Sequence, residues 1–412
     1  MSLNKTPRGD RVHIALFGKR NVGKSSIINA ITNQDIALVS TVKGTTTDPV
    51  YKAMEILPIG PVVIVDTAGL DDIGELGELR KKKTYEVLNK TDFAILAIDA
   101  QVGITEFDKE ILCRIREKKL PVIGVVNKTD IFNISQAELA KMENELKLKI
   151  IPISAINKVG IDELKNAIIK LLPDDKNKFR LVGDIINPGD FIVLVVPIDS
   201  AAPKGRLILP QQQVIRDILE SDATCIVTKE YELEETLKNI GKKPKLVITD
   251  SQVFSKVSAE TPEDIMLTSF SILFARYKGD LINLIKGAKQ LDLLEDGDKI
   301  LISEGCTHHR QSDDIGTVKI PRWIKEYTGK NLVFEFSSGI KYPDNINEYS
   351  LIVHCGGCML NRREMQHRIS LANNDNIPIV NYGVLIAYVK GIIKRAVQPF
   401  PSASMILEED EN

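Results

Sequence analysis

Short runs of apolar, often β-branched residues alternate along this chain with longer stretches in which apolar residues recur every three or four positions. The first pattern predicts strands buried on both faces, and the second predicts amphipathic helices. Strands are predicted over residues 12–17, 62–65, 93–98, 121–126 and 150–153. A polar, proline-containing break follows at 173–178. Beyond it, strands are predicted at 191–196, 225–227 and 245–248, with helices at 211–219 and 231–240. A third series has strands at 299–302, 332–336, 351–353 and 377–380, and helices at 280–291, 320–326, 362–372 and 385–393. Strands alternating with helices predict parallel sheets. The expected fold is therefore α/β, in three α/β domains at 1–172, 180–265 and 266–400, with an acidic, disordered tail at 401–412.

Composition narrows the function classes. The chain has 412 residues, 43% hydrophobic and 27% charged, enough for full globular cores. A formal net charge of −2 argues against a surface built for nucleic acid. Residues 1–11 are polar, and no apolar run approaches the length of a membrane span. The expectation is a cytoplasmic protein with no membrane or nucleic-acid partner. Five cysteines in a reducing compartment point to metal or redox chemistry where they cluster, not to disulfides.

Directly after the first strand, Gly18-Lys19-Arg20-Asn21-Val22-Gly23-Lys24-Ser25 fits G-x-x-x-x-G-K-[ST]. A strand before it and a helix after it place backbone N–H groups and a helix N-terminus around phosphate oxygens. Gly18, Gly23, Lys24, Ser25 and Ser26 are the phosphate-side candidates, with Lys24 on the β/γ phosphates and the Ser25 hydroxyl on Mg²⁺. Gly44-Thr45-Thr46-Thr47-Asp48 is a candidate switch loop. In Asp66-Thr67-Ala68-Gly69, Asp66 can hold Mg²⁺ through water, and Gly69 lets a backbone N–H approach the γ-phosphate. In Asn127-Lys128-Thr129-Asp130, the Asp130 carboxylate can accept two N–H bonds from guanine, a pair that adenine lacks. Ser154 and Ala155 form a short loop placed to cover the base.

These segments in this order resemble the translation-factor-like GTPases over nearly all of residues 11–172. Residues 44–48 look like the G-T-T-R-D switch of the tRNA-modification and Era subfamily, with Thr47 in place of its arginine. The resemblance implies Mg²⁺-dependent hydrolysis of GTP to GDP and phosphate, with Lys24, Asn21, Thr46 and Gly69 as the catalytic set and Thr46 on Mg²⁺. Leu70 stands where Ras-like enzymes carry a water-orienting glutamine, so slow intrinsic hydrolysis is expected. Asn21 stands where relatives use an asparagine to bind K⁺; a solvent-facing loop residue is its other reading.

The middle stretch shows no catalytic constellation. Residues 202–210 place apolar positions between two prolines, which reads equally as a docking edge or a packed loop. Cys225 lies mid-strand and predicts a buried small hydrophobe, and Cys113, in an apolar-periodic helix at 110–115, predicts a core position.

The remaining cysteines are grouped. Cys306 and His308 form C-x-H, and after forty-five intervening residues His354, Cys355 and Cys358 form H-C-x-x-C. Both groups follow predicted strands, at the carboxyl edge where open α/β sheets keep their sites. Gly356 and Gly357 permit a tight turn. Three cysteines with a histidine suit a closed zinc site; they equally suit a [4Fe–4S] cluster with three thiolates and a weaker fourth ligand. His354, His308, Asp313 and Asp314 are the candidates for that fourth position, with His309 and His367 as bystanders.

Together, the GTPase-like first part, the middle α/β part and C-x-H…H-C-x-x-C resemble the [FeFe]-hydrogenase maturation GTPases, over the whole chain apart from its tails. That resemblance implies a [4Fe–4S] cluster on Cys306, Cys355 and Cys358, and dimerisation through residues 180–265. It implies a homodimeric scaffold or carrier for the diiron subcluster of the hydrogenase active site. Radical-SAM maturases are then the donors and apo-[FeFe]-hydrogenase the acceptor. An RNA-modification or ribosome-assembly GTPase with a structural zinc module is the alternative, and a redox enzyme using the cluster for electron transfer is a third.

Overall fold

The computed structural model describes residues 8–32, 49–67, 75–172, 180–197, 207–305, 314–339, 342–343, 345–357 and 360–408. The chain divides into two compact units, Met1–Asp174 and Asp175–Asn412.

In chain order the first unit holds β1 (Val12–Phe17), α1 (Lys24–Thr32), β2 (Val50–Ile56), β3 (Gly60–Asp66), α2 (Glu75–Leu88) and β4 (Phe93–Asp99). It continues with α3 (Glu106–Glu117), β5 (Val122–Asn127), α4 (Gln136–Leu146), β6 (Ile150–Pro152) and α5 (Ile161–Leu171). The strands form one sheet in the order β2-β3-β1-β4-β5-β6. Every pairing is parallel except β2 on β3. Side chains alternate across a strand, so one run must satisfy two environments. Ile14 and Leu16 enter the core on one face with Ile27, Ile95 and Leu164, while Ala15 and Phe17 enter the other with Leu96, Ile111 and Ile115. Both faces are covered, which is why β1 reads as an unbroken apolar run. Strand β2 escapes that pattern. It is an antiparallel edge strand with the sequence VYKAMEI, and its burial is mostly partial.

The second unit opens with β7 (Phe191–Val195), α6 (Leu209–Glu220), β8 (Thr224–Thr228), α7 (Leu233–Asn239), β9 (Leu246–Thr249), α8 (Phe254–Glu260), β10 (Met266–Ser269) and α9 (Phe270–Lys278). It continues with α10 (Leu281–Lys289), β11 (Lys299–Glu304), α11 (Ile320–Thr328), β12 (Val333–Ser338) and β13 (Leu351–His354). Last come α12 (Arg362–Asn374), β14 (Ile379–Asn381), α13 (Tyr382–Val389), α14 (Ile393–Val397) and α15 (Pro401–Glu408). Two parallel four-stranded sheets result, in the orders β10-β9-β7-β8 and β12-β11-β13-β14. The expected cut at 265/266 precedes β10, which completes the first of these sheets. One apolar core serves both: Val193 and Ile248 from the first sheet, Ile302 and Val353 from the second, and Ile272, Leu284 and Leu385 from α9, α10 and α13. Thr268 on β10 donates its hydroxyl to the Ala396 carbonyl at 2.8 Å, tying the end of the chain to the first sheet.

Three expectations are corrected here. The tail is not disordered throughout, because α15 buries Ala403 and Leu407, and Lys289 donates to the Ile406 carbonyl at 2.5 Å. The acidic residues 409–412 lie outside the described residues. Cys113 is exposed, not core. On α3, Ile111, Leu112 and Ile115 face inward, and a residue between them at 100° per step falls on the far side. The helix expected over 385–393 is two helices, since Gly391 takes φ +68° between α13 and α14 and ends the first. Within 202–210, residues 202–206 lie outside the described residues, while Leu207 packs on the shared core. Among the described residues no helix is long and apolar enough to cross a membrane.

Candidate functional site

The phosphate loop and the loops that begin at Asp66, Asn127 and Ser154 each follow the carboxyl end of a parallel strand. The phosphate loop follows β1, and its turn requires two glycines. A Cβ at Gly18 would lie 2.4 Å from the Ala97 carbonyl oxygen, and Gly23 has φ +90° with Asn127 Nδ2 2.5 Å from where its Cβ would be. Asn21 takes φ +62° on the exposed side of the loop, and its side chain has no hydrogen bond among the described residues. Lys24, at the start of α1, is buried. Its Nζ donates to the Gly18 carbonyl at 2.8 Å and the Lys19 carbonyl at 2.7 Å, closing the loop around the ammonium.

Ser25 Oγ donates to Asp66 Oδ2 at 2.5 Å, which brings the two expected Mg²⁺ groups together. Burial pushes the Asp66 carboxyl above its ordinary range, against the Ser25 hydrogen bond and the charges of Lys24 and Lys52. A carboxylate so desolvated gains from a divalent cation beside it. Thr67 Oγ1 donates to the Leu16 carbonyl at 2.5 Å and holds the start of the next loop on β1.

The base-side loops interlock. Asn127 Nδ2 donates to the Val22 carbonyl at 2.8 Å, and Asn127 Oδ1 accepts from the Ala155 N–H at 3.1 Å. Lys128, with φ +71°, bonds Asp99 Oδ2 at 2.6 Å. Ser154 Oγ donates to Asp130 Oδ1 at 2.7 Å, leaving Oδ2 without a partner among the described residues. The exposed Asp130 can therefore accept from a ligand. The structure thus brings Gly18, Gly23, Lys24, Ser25, Asp66, Asn127, Lys128, Asp130, Ser154 and Ala155 to one sheet edge. Ser26 is exposed on the first turn of α1. Thr46, Gly69 and Leu70 lie outside the described residues.

In the second unit, β11 and β13 run side by side, with Ser303 level with His354. Cys355 follows β13, and its half-buried Sγ accepts from the Gly305 N–H at 3.1 Å and the Gly357 N–H at 3.4 Å. The two cysteine-bearing loops therefore meet at this sulfur. Cys306 follows Gly305 and Cys358 follows Gly357 in the sequence. Cys306, His308, His309, Asp313 and Cys358 lie outside the described residues, and no group of three potential metal ligands is found among the described ones. Buried Glu304 and Tyr382 adjoin, with the Tyr382 hydroxyl 3.4 Å from Glu304 Oε1. Burial first, then the negative charges of Glu304, Cys355 and Asp314, raises the Tyr382 phenol well above its ordinary range.

His354 does not fit the fourth-ligand role. It is fully buried, with Nδ1 2.7 Å from the Cys355 carbonyl and Nε2 3.0 Å from Arg368 Nη1. A guanidinium only donates, so Nε2 accepts and Nδ1 carries the proton. Both nitrogens are committed. Desolvation, reinforced by the Arg368 charge, lowers the imidazole to about 3 and keeps it neutral. Arg368 was no sequence candidate; it is itself fully buried and also bonds Glu364 and the Gly339 carbonyl. Asp314 Oδ2 accepts from the Gly316 and Thr317 N–H groups and the Thr317 hydroxyl, capping the turn at Ile315–Lys319. Cys225 is partly buried, and desolvation pushes its thiol up to about 11.

Known proteins match the two units differently. Residues 13–128 match the family model of the 50S ribosome-binding GTPase. The chain is 36% identical over 160 residues to the tRNA modification GTPase MnmE of Nitrosomonas europaea, covering 39% of this chain and 34% of that one. It is 33% identical over 199 residues to the GTPase Der of Mycoplasma capricolum, covering 45% and 46%. This chain thus spans less than half the length of these curated relatives. A crystal structure of a point variant of Aquifex aeolicus Era bound to GDP.AlF4⁻ aligns at 22% identity over 56% of this chain and 98% of that one, with a TM-score of 0.37. In the second unit, residues 181–279 match the hydrogen maturase F dimerization domain, and residues 282–399 match the hydrogen maturase F tetramerization domain. With a GTPase domain ahead of both of its characteristic domains, the chain belongs to the hydrogen maturase F family.

Proposed function

We propose that this protein is a GTP-hydrolysing scaffold for maturation of the [FeFe]-hydrogenase active site, carrying a [4Fe–4S] cluster on Cys306, Cys355 and Cys358. The observation that carries the reading is the convergence of the Gly305 and Gly357 N–H groups on Cys355 Sγ, in a chain of this family. Two N–H donors on one sulfur favour a thiolate and suit a metal-bound one. A bound [4Fe–4S] unit would supply an iron with an exchangeable, non-thiolate position where a diiron unit can attach. Cargo donors would be radical-SAM maturases and the acceptor apo-[FeFe]-hydrogenase, with self-association through residues 181–279 and 282–399.

In the first unit, Lys24 would exchange its bonds to the Gly18 and Lys19 carbonyls for the β/γ phosphates of GTP. Ser25 and Asp66, joined by a hydrogen bond, would hold Mg²⁺ together with Thr46, and the ion would offset the charge of the phosphates. The Gly69 N–H would serve the γ-phosphate. Asp130, held by Ser154, would accept the two guanine N–H groups, with Ala155 over the base. Asn21, exposed on the loop, would ligate K⁺ beside the phosphates. Nucleotide turnover would act as the switch for cargo handling.

The test is anaerobic reconstitution of the full chain followed by iron, sulfide and zinc analysis. About four irons and four sulfides per chain, lost when any of Cys306, Cys355 or Cys358 becomes alanine, is the expected result. A colourless protein holding one zinc per chain would overturn the scaffold reading in favour of a GTPase with a structural zinc module.

A further inference from the structure

The strand order of the first unit puts β4 between β1 and β5. The phosphate loop follows β1, and the loop carrying Asp130 follows β5. A nucleotide held by both must therefore cross the carboxyl end of β4. The residue at that end is Asp99, level with Asn127 on β5. Its carboxylate is fixed by its own turn. Oδ1 accepts from the Gln101 N–H at 2.9 Å, and the Asp99 carbonyl accepts from the Gly103 N–H at 2.9 Å. The Ala100 N–H donates to the Asn127 carbonyl at 3.0 Å, which ties that turn to β5. The second carboxylate oxygen, Oδ2, accepts from Lys128 Nζ at 2.6 Å.

Lys128 needs holding. Its backbone lies in the left-handed region at φ +71°, which a residue with a Cβ adopts only at a steric cost. Its long stem is otherwise free to sample many rotamers. The side chains of the pair are only 28% and 14% exposed, so water and salt screen the attraction less than they would on the open surface. An ammonium anchored on a fixed carboxylate turns the four-carbon stem into a preset apolar wall, two residues from Asp130.

We propose that Asp99 is a positioning residue for guanine nucleotides, holding Lys128 so that its stem is preset where the nucleotide crosses β4. It thereby sets an affinity that GTP and GDP share. Asp99 acts through Lys128 and does not touch the nucleotide. This rests on the assignment of Asp130 to the base. The test uses the full-length chain as wild type and three variants. Asp99→Asn keeps an oxygen for the Gln101 N–H and removes the charge. Lys128→Met keeps an apolar stem and removes the ammonium. The third variant carries both changes. Binding of GDP and ADP is measured, with steady-state hydrolysis of GTP.

Each single variant is expected to bind GDP about tenfold more weakly. The KM for GTP should rise by the same factor while kcat moves far less, because the wall serves ground state and transition state alike. The double variant should be no weaker than either single one, since each change removes the same ion pair. Unchanged GDP affinity in either single variant overturns the proposal. So do losses that multiply to about 100-fold in the double variant, which would make the two residues independent. So does a fall in kcat with KM unmoved. If Asp99→Asn does not fold, Lys128→Met decides: a tenfold rise in KM supports the proposal, and an unmoved KM overturns it. Wild type that binds ADP as tightly as GDP would overturn the base-site reading and this proposal with it. Wild type selective for GDP, with variants that match it, overturns the proposal alone.

Discussion

Asn127 donates through Nδ2 to the Val22 carbonyl at 2.8 Å, joining the loop after β5 to the phosphate loop 105 residues earlier. With its Oδ1 on the Ala155 N–H, one amide holds three loops together. Asn127→Ala strands two buried backbone groups, each worth about 1–3 kcal/mol. Urea unfolding should show a first-unit transition weakened by that order, together with loss of guanine-nucleotide affinity. Weakened nucleotide binding with an unmoved transition would mean that the asparagine acts on the base alone.

Asp130→Asn exchanges one acceptor for a donor where guanine presents two donors. The preference should move from GTP toward xanthosine triphosphate by about 100-fold or more in kcat/KM. Lys24→Ala should abolish turnover. Unchanged GTP preference in Asp130→Asn would remove base selection from this residue.

Hydrolysis should run faster in K⁺ than in Na⁺, because Asn21 presents an unengaged carbonyl and Leu70 offers nothing to orient water. Steady-state rates at equal ionic strength measure it, and Asn21→Ala should erase the difference. Equal wild-type rates in the two salts would rule the cation out.

Asp66 titrates high because burial favours its neutral form. In the nucleotide-free protein the folded state then holds a proton at a pH where the unfolded chain has lost it. Stability of the first unit should fall as pH rises from the ordinary carboxylate range through the raised value. Asp66→Asn should flatten that limb in thermal melts while weakening Mg²⁺ affinity about 10–100-fold. A melt profile identical to wild type would show that the carboxyl is not the source.

His354→Ala removes the acceptor for Arg368 Nη1 and leaves a buried guanidinium short of a partner. The cost should be about 1.5–3 kcal/mol in the second unit, read by denaturant unfolding. Because neither ring nitrogen is free for metal, the variant should keep iron on reconstitution, with the same electron-paramagnetic signature. A changed signature would restore the histidine as a ligand.

How far the sequence spoke depended on whether a feature was local. The strands β1, β4 and β5 were legible because burial on both faces writes an unbroken apolar run. Strand β2 was not, because an antiparallel edge strand tolerates Lys52 and Glu55 and so loses the pattern. The phosphate loop and the Asn127–Asp130 loop were legible from spacing alone, since their chemistry lies within a few residues. His354 misled for the opposite reason. Its spacing beside Cys355 suits a ligand, and what occupies it is Arg368 on α12, a partner no local pattern announces. Lys278, buried at the end of α9, carried no signal at all, since a lysine ending a helix ordinarily faces water.

The apolar core under both sheets of the second unit has a consequence for how that unit is inherited and handled. The two family regions meet between α9 and α10, where Leu273 and Leu284 enter the same interior. A cut there would open that interior on both sides, so neither half should survive as an autonomous fragment. Heat or denaturant should melt them together in one transition. Chimeras between relatives should tolerate exchange of the whole block and reject exchange of either half. A subunit contact made by one half should likewise register as slowed amide exchange in the other.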